Sequence, residues 1–362
     1  MSNLKPKTYH IVTFGCQMNK ADSEKIALSF ESKGYLQAKS AKDTDVVIIN
    51  TCSVRQSAED RVLGLVNNLS KIKSKKRRPK IILTGCMLRY PLPRLKKMLS
   101  AVDEFIKLKD LIGNIPPYAS SFAKTTEDTW VTIMEGCDNY CTYCVVPYSR
   151  GREVSRPMEE IICEVKELVK RGIKEITLLG QNVNSYGKKH SLDSSDFSDS
   201  PDKPDKSQFA KLLKELHKIK GLKKISFLTS NPQDLTDDII EAMKLPKIVR
   251  YLHLPVQSGD DGILKKMNRQ YTAKQYLNLI KKIRHQIPEI EIGTDIIVGF
   301  PGETRLQFQN TVALCKKARF KVAYVAKYSP RWGTAAFKLE DNVSPQEKKR
   351  RWRILDKLIN KK

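Results

Sequence analysis

The sequence predicts an α/β chain, an N-terminal domain on a parallel sheet followed by a partial (β/α)6 barrel. Three observations carry that expectation. Short runs rich in Val and Ile recur along the chain, the stretches between them are amphipathic and close on glycine or basic residues, and cysteines directly follow several of the runs. Alternation of this kind is the pattern of βα units, whose strands are parallel and whose crossovers are right-handed.

The first strand candidates are YHIVTF (9–14), DVVIIN (45–50) and KIILTG (80–85). Segments between them, such as KADSEKIALSFESKG, read as helices from their spacing and their ends. A proline-containing stretch over 113–128 reads as a linker, which gives a first domain over 1–120 and a second over 121–350. In the second, strand candidates lie at 130–134, 174–179, 223–228, 249–254, 290–298 and 320–327, each paired with a helical segment. Six such units suit a partial barrel and not a full eight-fold one. The Ser/Asp/Pro-rich tract KKHSLDSSDFSDSPDKPDKS (188–207) cannot build a core and reads as a disordered surface insertion. Residues 351–362 read as a basic C-terminal tail.

The chain carries 66 Lys+Arg against 40 Asp+Glu, a net charge of +26 over 362 residues. A balance this basic suits a polyanionic partner, because neutralised phosphates release condensed counterions. The basic residues cluster in KIKSKKRRPK (71–80) and EKKRRWRILDKLINKK (347–362), runs that also suit a solvated face. No apolar run reaches the ~18 residues that span a bilayer, and the start lacks the apolar core of a signal peptide. A cytoplasmic protein with no membrane partner is expected.

Eight cysteines stand at 16, 52, 86, 137, 141, 144, 163 and 315. In a chain this long without a signal, metal or redox chemistry is a better reading than a disulfide framework. Cys16, Cys52 and Cys86 each follow a strand candidate, in TFGC, INTC and LTGC. Parallel strands end on one edge, so three cysteines distant in sequence converge where ligands usually bind. Glycine before Cys16 and Cys86 lets the backbone turn tightly there. Three buried structural cysteines are the alternative. Cys137, Cys141 and Cys144 form a C-x3-C-x2-C loop after WVTIME. No second knuckle completes a zinc site, and His217 and His253 stand alone. Three thiolates instead suit a 4Fe-4S cluster whose fourth iron takes an outside ligand.

A C-x3-C-x2-C loop at the top of the first strand of a partial barrel resembles the radical SAM superfamily. The resemblance implies that S-adenosylmethionine chelates the open iron and is cleaved by one electron from the cluster. It also places Tyr143, just before the last cysteine, near the adenine. FGCQMNKADSE, NTCSVR, EGCDNYCTYCVVPYSRGREVSRP, LLGQNVNSYG, LHLPVQSG and DIIVGFPGET are similar to the methylthiotransferase family over residues 8 to about 350, closest to its tRNA isopentenyladenosine branch. By that resemblance a second 4Fe-4S cluster sits on Cys16, Cys52 and Cys86 and supplies sulfur. One S-adenosylmethionine is then methyl donor and another radical source, and an external electron donor is needed. The implied substrate is N6-isopentenyladenosine beside the anticodon of the tRNA stem-loop, methylthiolated at C2.

Further site residues follow the same likeness. Gly180, Gln181 and Asn182 stand where the superfamily contacts the methionyl amine. Thr229 and Ser230 are candidates for ribose or carboxylate, with Gln257, Ser258 and Asp295 after or within later strands. Each also fits an ordinary polar strand end. Gly299, Pro301 and Gly302 read as a turn. Arg150, Arg152 and Arg156 are candidate phosphate contacts or a solvated face. Cys163 and Cys315 read as structural. The tRNA branch normally continues into a small β-barrel, the TRAM domain, which this chain is expected to lack, and a monomer is expected. The same chemistry on threonylcarbamoyladenosine in tRNA or on a ribosomal-protein aspartate is the enzymatic alternative. A non-catalytic iron–sulfur protein that binds RNA or senses redox state is the alternative of another class.

Overall fold

A computed structural model of the chain describes residues 6–72, 78–113, 115, 128–188 and 207–361. They divide into two compact units, one of residues 1–126 and 145–151, the other of 127–144 and 152–362. Most of the expected linker over 113–128, the middle of the basic run at 71–80 and nearly all of the expected insertion at 188–207 lie outside the described residues.

The first unit runs β1 (Thr8–Thr13), α1 (Gln17–Ser32), β2 (Leu36–Gln37), β3 (Val46–Thr51), α2 (Gln56–Ser70), β4 (Lys80–Gly85), α3 (Leu92–Met98), β5 (Glu104–Phe105), α4 (Leu108–Ile112) and, from the later segment, α5 (Val146–Arg150). Its sheet has the order β2-β1-β3-β4-β5, and every pair is parallel. All six residues of β3 are buried, as a central strand covered on both faces requires. The two edge strands have two residues each, too short to show a period in sequence. Tyr9, Ile26, Phe30, Val46, Ile48, Ile82 and Leu111 pack into one core, with the Tyr9 and Phe30 rings 5.4 Å apart.

The second unit runs β6 (Asp128–Thr132), β7 (Met134–Glu135), β8 (Val154–Ser155), α6 (Met158–Lys170), β9 (Glu175–Leu179), α7 (Gln208–His217), β10 (Lys224–Phe227), α8 (Asp237–Met243), β11 (Tyr251–His253), α9 (Asp261–Lys266), α10 (Ala273–Gln286), β12 (Glu291–Val298), α11 (Arg305–Ala318), β13 (Val322–Lys327) and α12 (Pro345–Ile359). Parallel trios β6-β9-β10 and β11-β12-β13 are joined by a parallel bridge between Ile225 and Ile248. Among the described residues, six parallel strands therefore follow one another in chain order, the arc of a partial (β/α)6 barrel. A short antiparallel pair, β7 with β8, lies beside it. On β12, Ile292, Thr294 and Ile296 are buried while Asp295 and Ile297 are only part-buried. Capping boxes, Thr272 with Gln275 and Thr304 with Gln307, fix the starts of α10 and α11.

The segment expected to be a basic tail from 351 onward is instead helix as far as Ile359. Leu355 and Ile359 bury their apolar faces, and Trp352 Nε1 donates to the Val325 carbonyl at 2.8 Å. Arg351 is 4% exposed and pairs with Glu303 at 2.6 Å. Basic composition concealed an amphipathic helix there, because Arg351 and, one turn earlier, Lys348 are buried.

Candidate functional site

The first unit brings its three cysteines to one edge. Thr13 stands opposite Asn50 and Thr51 opposite Gly85 in the ladder, so β1, β3 and β4 end side by side. Cys52 and Cys86 are the next residues after register partners, and Cys16 is the N-cap of α1. Gly15 has φ +127°, and a Cβ built on it would stand 2.7 Å from Cys52 Cβ. Gly85, at φ +89°, would meet the Thr51 carbonyl oxygen at 2.6 Å. Both positions therefore require glycine. Burial pushes the Cys52 thiol up, and the nearby Cys86 and Cys16 thiols push it further. The Val54 N–H donates to Cys52 Sγ at 3.4 Å. Asn19 braces the edge by donating to Asn50 Oδ1 and the Thr51 carbonyl.

In the second unit, Cys137, Cys141 and Cys144 lie on the loop after β6 and β7, all part-exposed. Burial raises the Cys137 thiol first, Asn139 donors offset this, and the Cys141 thiol raises it again. Asn139 Nδ2 donates to Cys137 Sγ at 3.3 Å. Tyr143 packs beside Ile297 against Ile263, Met267, Phe300, Tyr328 and Ala336. Its hydroxyl is pushed well up by burial and then by the Cys141 thiol. Among the described residues no three Cys, His, Asp or Glu side chains lie in an arrangement that would hold one metal ion. Three soft thiols around a backbone that supplies N–H donors fit a cluster, in which each thiolate takes a different iron.

At the carboxyl ends of β9, β10 and β11 the barrel gathers polar atoms without partners. Among the described residues, Gln181 Oε1, Asn184 Oδ1, Ser230 Oγ, Asn231 Oδ1 and Gln257 Oε1 are buried and unbonded. Leaving such a group unpaired costs about 1–3 kcal/mol, so a ligand with donors belongs among them. Thr229 at φ +67° and Gln257 at φ +65° hold left-handed backbone in the same region. For a β-branched threonine that conformation is an outlier, and such strain gathers at binding sites. A ligand that carries several hydrogen-bond donors fits this acceptor-rich cradle.

Several expected site residues are used differently. Asn182 is 2% exposed and spent internally, donating to Asp234 Oδ2 at 2.7 Å and accepting from the Asn231 N–H at 3.1 Å. Ser258 shares a hydroxyl contact with Thr311 at 3.3 Å. Gly180 packs against Met134, where a Cβ would come within 2.6 Å of Cγ. Asp295 accepts from His253 Nε2 at 3.0 Å, so His253 is not alone as expected. The His253 ring lies 5.6 Å from that of exposed Tyr324, on the face of β11–β13 that Asp295 shares. Arg150 pairs with buried Asp22 at 2.7 Å, and Arg156 with buried Glu164 at 2.8 Å. Neither guanidinium is presented for phosphate as expected, because a carboxylate inside the protein holds each. Arg152, paired with Asp138, keeps about half its side chain exposed, at 53%. Gly299 and Gly302, at φ +69° and +76°, shape the expected turn with Pro301.

Sequence reasoning did not single out Asn184, Asn231 or Arg269. Asn184 and Asn231 stand close to expected positions, and only a buried side-chain oxygen without a partner marks each of them. Arg269 Nη1 donates to Cys141 Sγ at 3.4 Å across 128 residues, beyond any local motif.

A family model described as Radical SAM superfamily matches residues 131–315, and one described as Uncharacterized protein family UPF0004 matches 8–107. The tRNA-2-methylthio-N(6)-dimethylallyladenosine synthase of Thermoanaerobacter sp. (strain X514) is 44% identical over 98% of this chain and 78% of its own length. The enzyme of the same name from Acetivibrio thermocellus is 43% identical over 97% of this chain and 76% of its own. Among solved structures, a radical S-adenosylmethionine methyltransferase from Kitasatospora setae superposes with a TM-score of 0.60 at 13% identity, covering 89% of this chain and 75% of that one, which speaks for the fold. With two family models on its two halves and relatives this similar along nearly its whole length, the chain belongs to the radical SAM superfamily and, within it, to the tRNA-2-methylthio-N(6)-dimethylallyladenosine synthase family.

Proposed function

We infer that the protein is a radical SAM methylthiotransferase that converts N6-isopentenyladenosine beside the tRNA anticodon to its 2-methylthio derivative. The observation that supports it best is the pair of cysteine triads, one at the ends of three parallel strands and one on a single loop, each offering three thiols where a cubane has four irons. Cys137, Cys141 and Cys144 would hold the cluster that works with S-adenosylmethionine, and Cys16, Cys52 and Cys86 a second cluster. Bound there, the first supplies one-electron chemistry on S-adenosylmethionine and the second supplies the sulfur.

The chain's own residues position the reactants. Gln181, Asn184, Ser230, Asn231 and Gln257 accept from the amine and ribose hydroxyls of S-adenosylmethionine, and those bonds satisfy their buried oxygens. Tyr143, fixed in its apolar cluster, walls the cysteine loop. Exposed Tyr324, backed by the His253–Asp295 pair, offers an aromatic face on which an adenine stacks, worth about 1–3 kcal/mol per base. A methyl donor, a radical source and an external electron donor complete the requirements, the first two both met by S-adenosylmethionine.

Mass spectrometry of tRNA nucleosides from cells with and without this protein tests the reading. Its loss should remove 2-methylthio-N6-isopentenyladenosine and leave N6-isopentenyladenosine to accumulate. An unchanged nucleoside profile would overturn the reading, as would loss of methylthio groups from threonylcarbamoyladenosine alone.

A further inference from the structure

Residues 266–271, KMNRQY, fasten the cysteine loop of the second unit at several points. Thr142 donates through its N–H to the Met267 carbonyl at 3.1 Å and through its hydroxyl to the Lys266 carbonyl at 2.8 Å. Asn268, in left-handed backbone at φ +57°, donates from Nδ2 to the Asn139 and Tyr140 carbonyls at 3.1 and 3.2 Å. These contacts are structural. Arg269, next in line, differs from them because it addresses a sulfur and brings a charge.

All three of its guanidinium nitrogens are committed. Nε donates to Tyr271 Oη at 2.9 Å, Nη2 to the Pro255 carbonyl at 3.1 Å and Nη1 to Cys141 Sγ at 3.4 Å. Tyr271 is itself anchored on the Pro255 and Val256 carbonyls, so the fork has no freedom to swing away. The first two partners are neutral oxygens, and among the described residues no carboxylate lies within ion-pair distance of Arg269. Arginine keeps its proton inside a protein, so the charge stays where these three bonds fix it. A cation taken out of water without a carboxylate needs an anion, and the group aimed at it is a cysteine sulfur.

We propose that Arg269 is a positioning residue that sets the reduction potential of the cluster held through Cys141. This rests on the reading that Cys137, Cys141 and Cys144 bind that cluster. The sign follows from Coulomb's law. Reduction adds an electron to a cluster already bearing thiolate charge, and a fixed guanidinium on one sulfur stabilises the more negative state. Its N–H···S bond withdraws density from the same sulfur and acts in the same direction. Arg269 therefore raises the midpoint and lets a milder donor reduce the cluster.

The test uses the full chain carrying Cys16→Ala, Cys52→Ala and Cys86→Ala, so that one cluster is titrated, with Arg269, Arg269→Gln or Arg269→Lys. Each is reconstituted anaerobically, assayed for iron, and titrated potentiometrically by electron paramagnetic resonance without S-adenosylmethionine. The glutamine variant should hold full iron with a more negative midpoint, and the lysine variant should fall between it and the parent. An unmoved midpoint in both iron-loaded variants overturns the inference, even if S-adenosylmethionine affinity falls, since Arg269 then serves the ligand's carboxylate. Equal loss of iron in both variants also overturns it, in favour of a scaffolding role. If only the glutamine variant loses iron, Arg269→Met, which also removes the charge, is titrated in its place: a lowered midpoint supports the inference, and an unmoved one or a second loss of iron overturns it. Absence of iron from the parent with Arg269 intact would overturn the cluster assignment itself, and the inference with it.

Discussion

Thr229 holds φ +67° at the end of the third barrel strand, a conformation that costs an L-residue about 1–2 kcal/mol. Thr229→Gly should therefore raise the unfolding free energy by about 1 kcal/mol, read by thermal denaturation. The same change should weaken S-adenosylmethionine binding in an equilibrium assay, because glycine loosens the backbone that places Ser230 and Asn231. A more stable variant with unaltered affinity would remove Thr229 from the site. Arg150 makes the opposite point. Replacing it with alanine strands Asp22, which is 1% exposed, and removal of one partner from a buried pair costs about 3–5 kcal/mol. Arg150→Ala should lower the denaturant midpoint sharply, where a phosphate contact would have changed tRNA affinity alone. The two cysteine triads separate by readout. Cys141→Ala should abolish formation of 5′-deoxyadenosine, whereas Cys52→Ala should leave it measurable and abolish sulfur insertion. Sulfur insertion by the Cys52 variant would overturn the assignment of the first triad.

Among elements, α12 shows how charge can be structural. Glu347 accepts from Arg350 Nε at 2.6 Å and from Arg351 Nε at 2.8 Å, and Arg351 reaches on to Glu303. The Arg350 hydrogen bond, more than Arg351, holds the Glu347 carboxyl down at about 2 against its usual 4.5. A depressed carboxyl stabilises the fold fully above about pH 4.5, and that contribution disappears as pH falls through 2. Glu347 is partly solvated, so screening reduces the effect to about 1 kcal/mol. Glu347→Gln should lower the melting temperature at pH 7 and match the parent near pH 2. At this scale much was legible in the sequence. The expected strand at 80–85 is β4 as observed, and those at 174–179 and 290–298 differ from β9 and β12 by one residue. Long β-branched runs between amphipathic stretches leave little alternative. Two-residue edges were not legible, nor was the placing of α5, which starts two residues after Cys144 yet belongs with the first unit. The cysteine triads were legible because strand ends and short spacings are local signals. The acceptor cradle was not fully legible, since its oxygens are distinguished by missing partners and not by residue type.

For the whole molecule, the +26 charge predicts that tRNA affinity falls steeply with salt. A fluorescence titration over a range of salt concentrations reads the slope, and an affinity indifferent to salt would remove phosphate contact as the basis of binding. Arg150, Arg156 and Arg351 should add little to that slope, since internal carboxylates already neutralise them. No helix among the described residues is long and apolar enough to cross a membrane. The acceptor cradle carries a consequence for turnover. On the proposed assignment it accepts from an amine and ribose hydroxyls, and the two fragments left when S-adenosylmethionine is cleaved still carry those donors, methionine the amine and 5′-deoxyadenosine the hydroxyls. Their grip survives the reaction, so the fragments should linger, compete with fresh S-adenosylmethionine when added together, and make product departure a brake on the catalytic cycle.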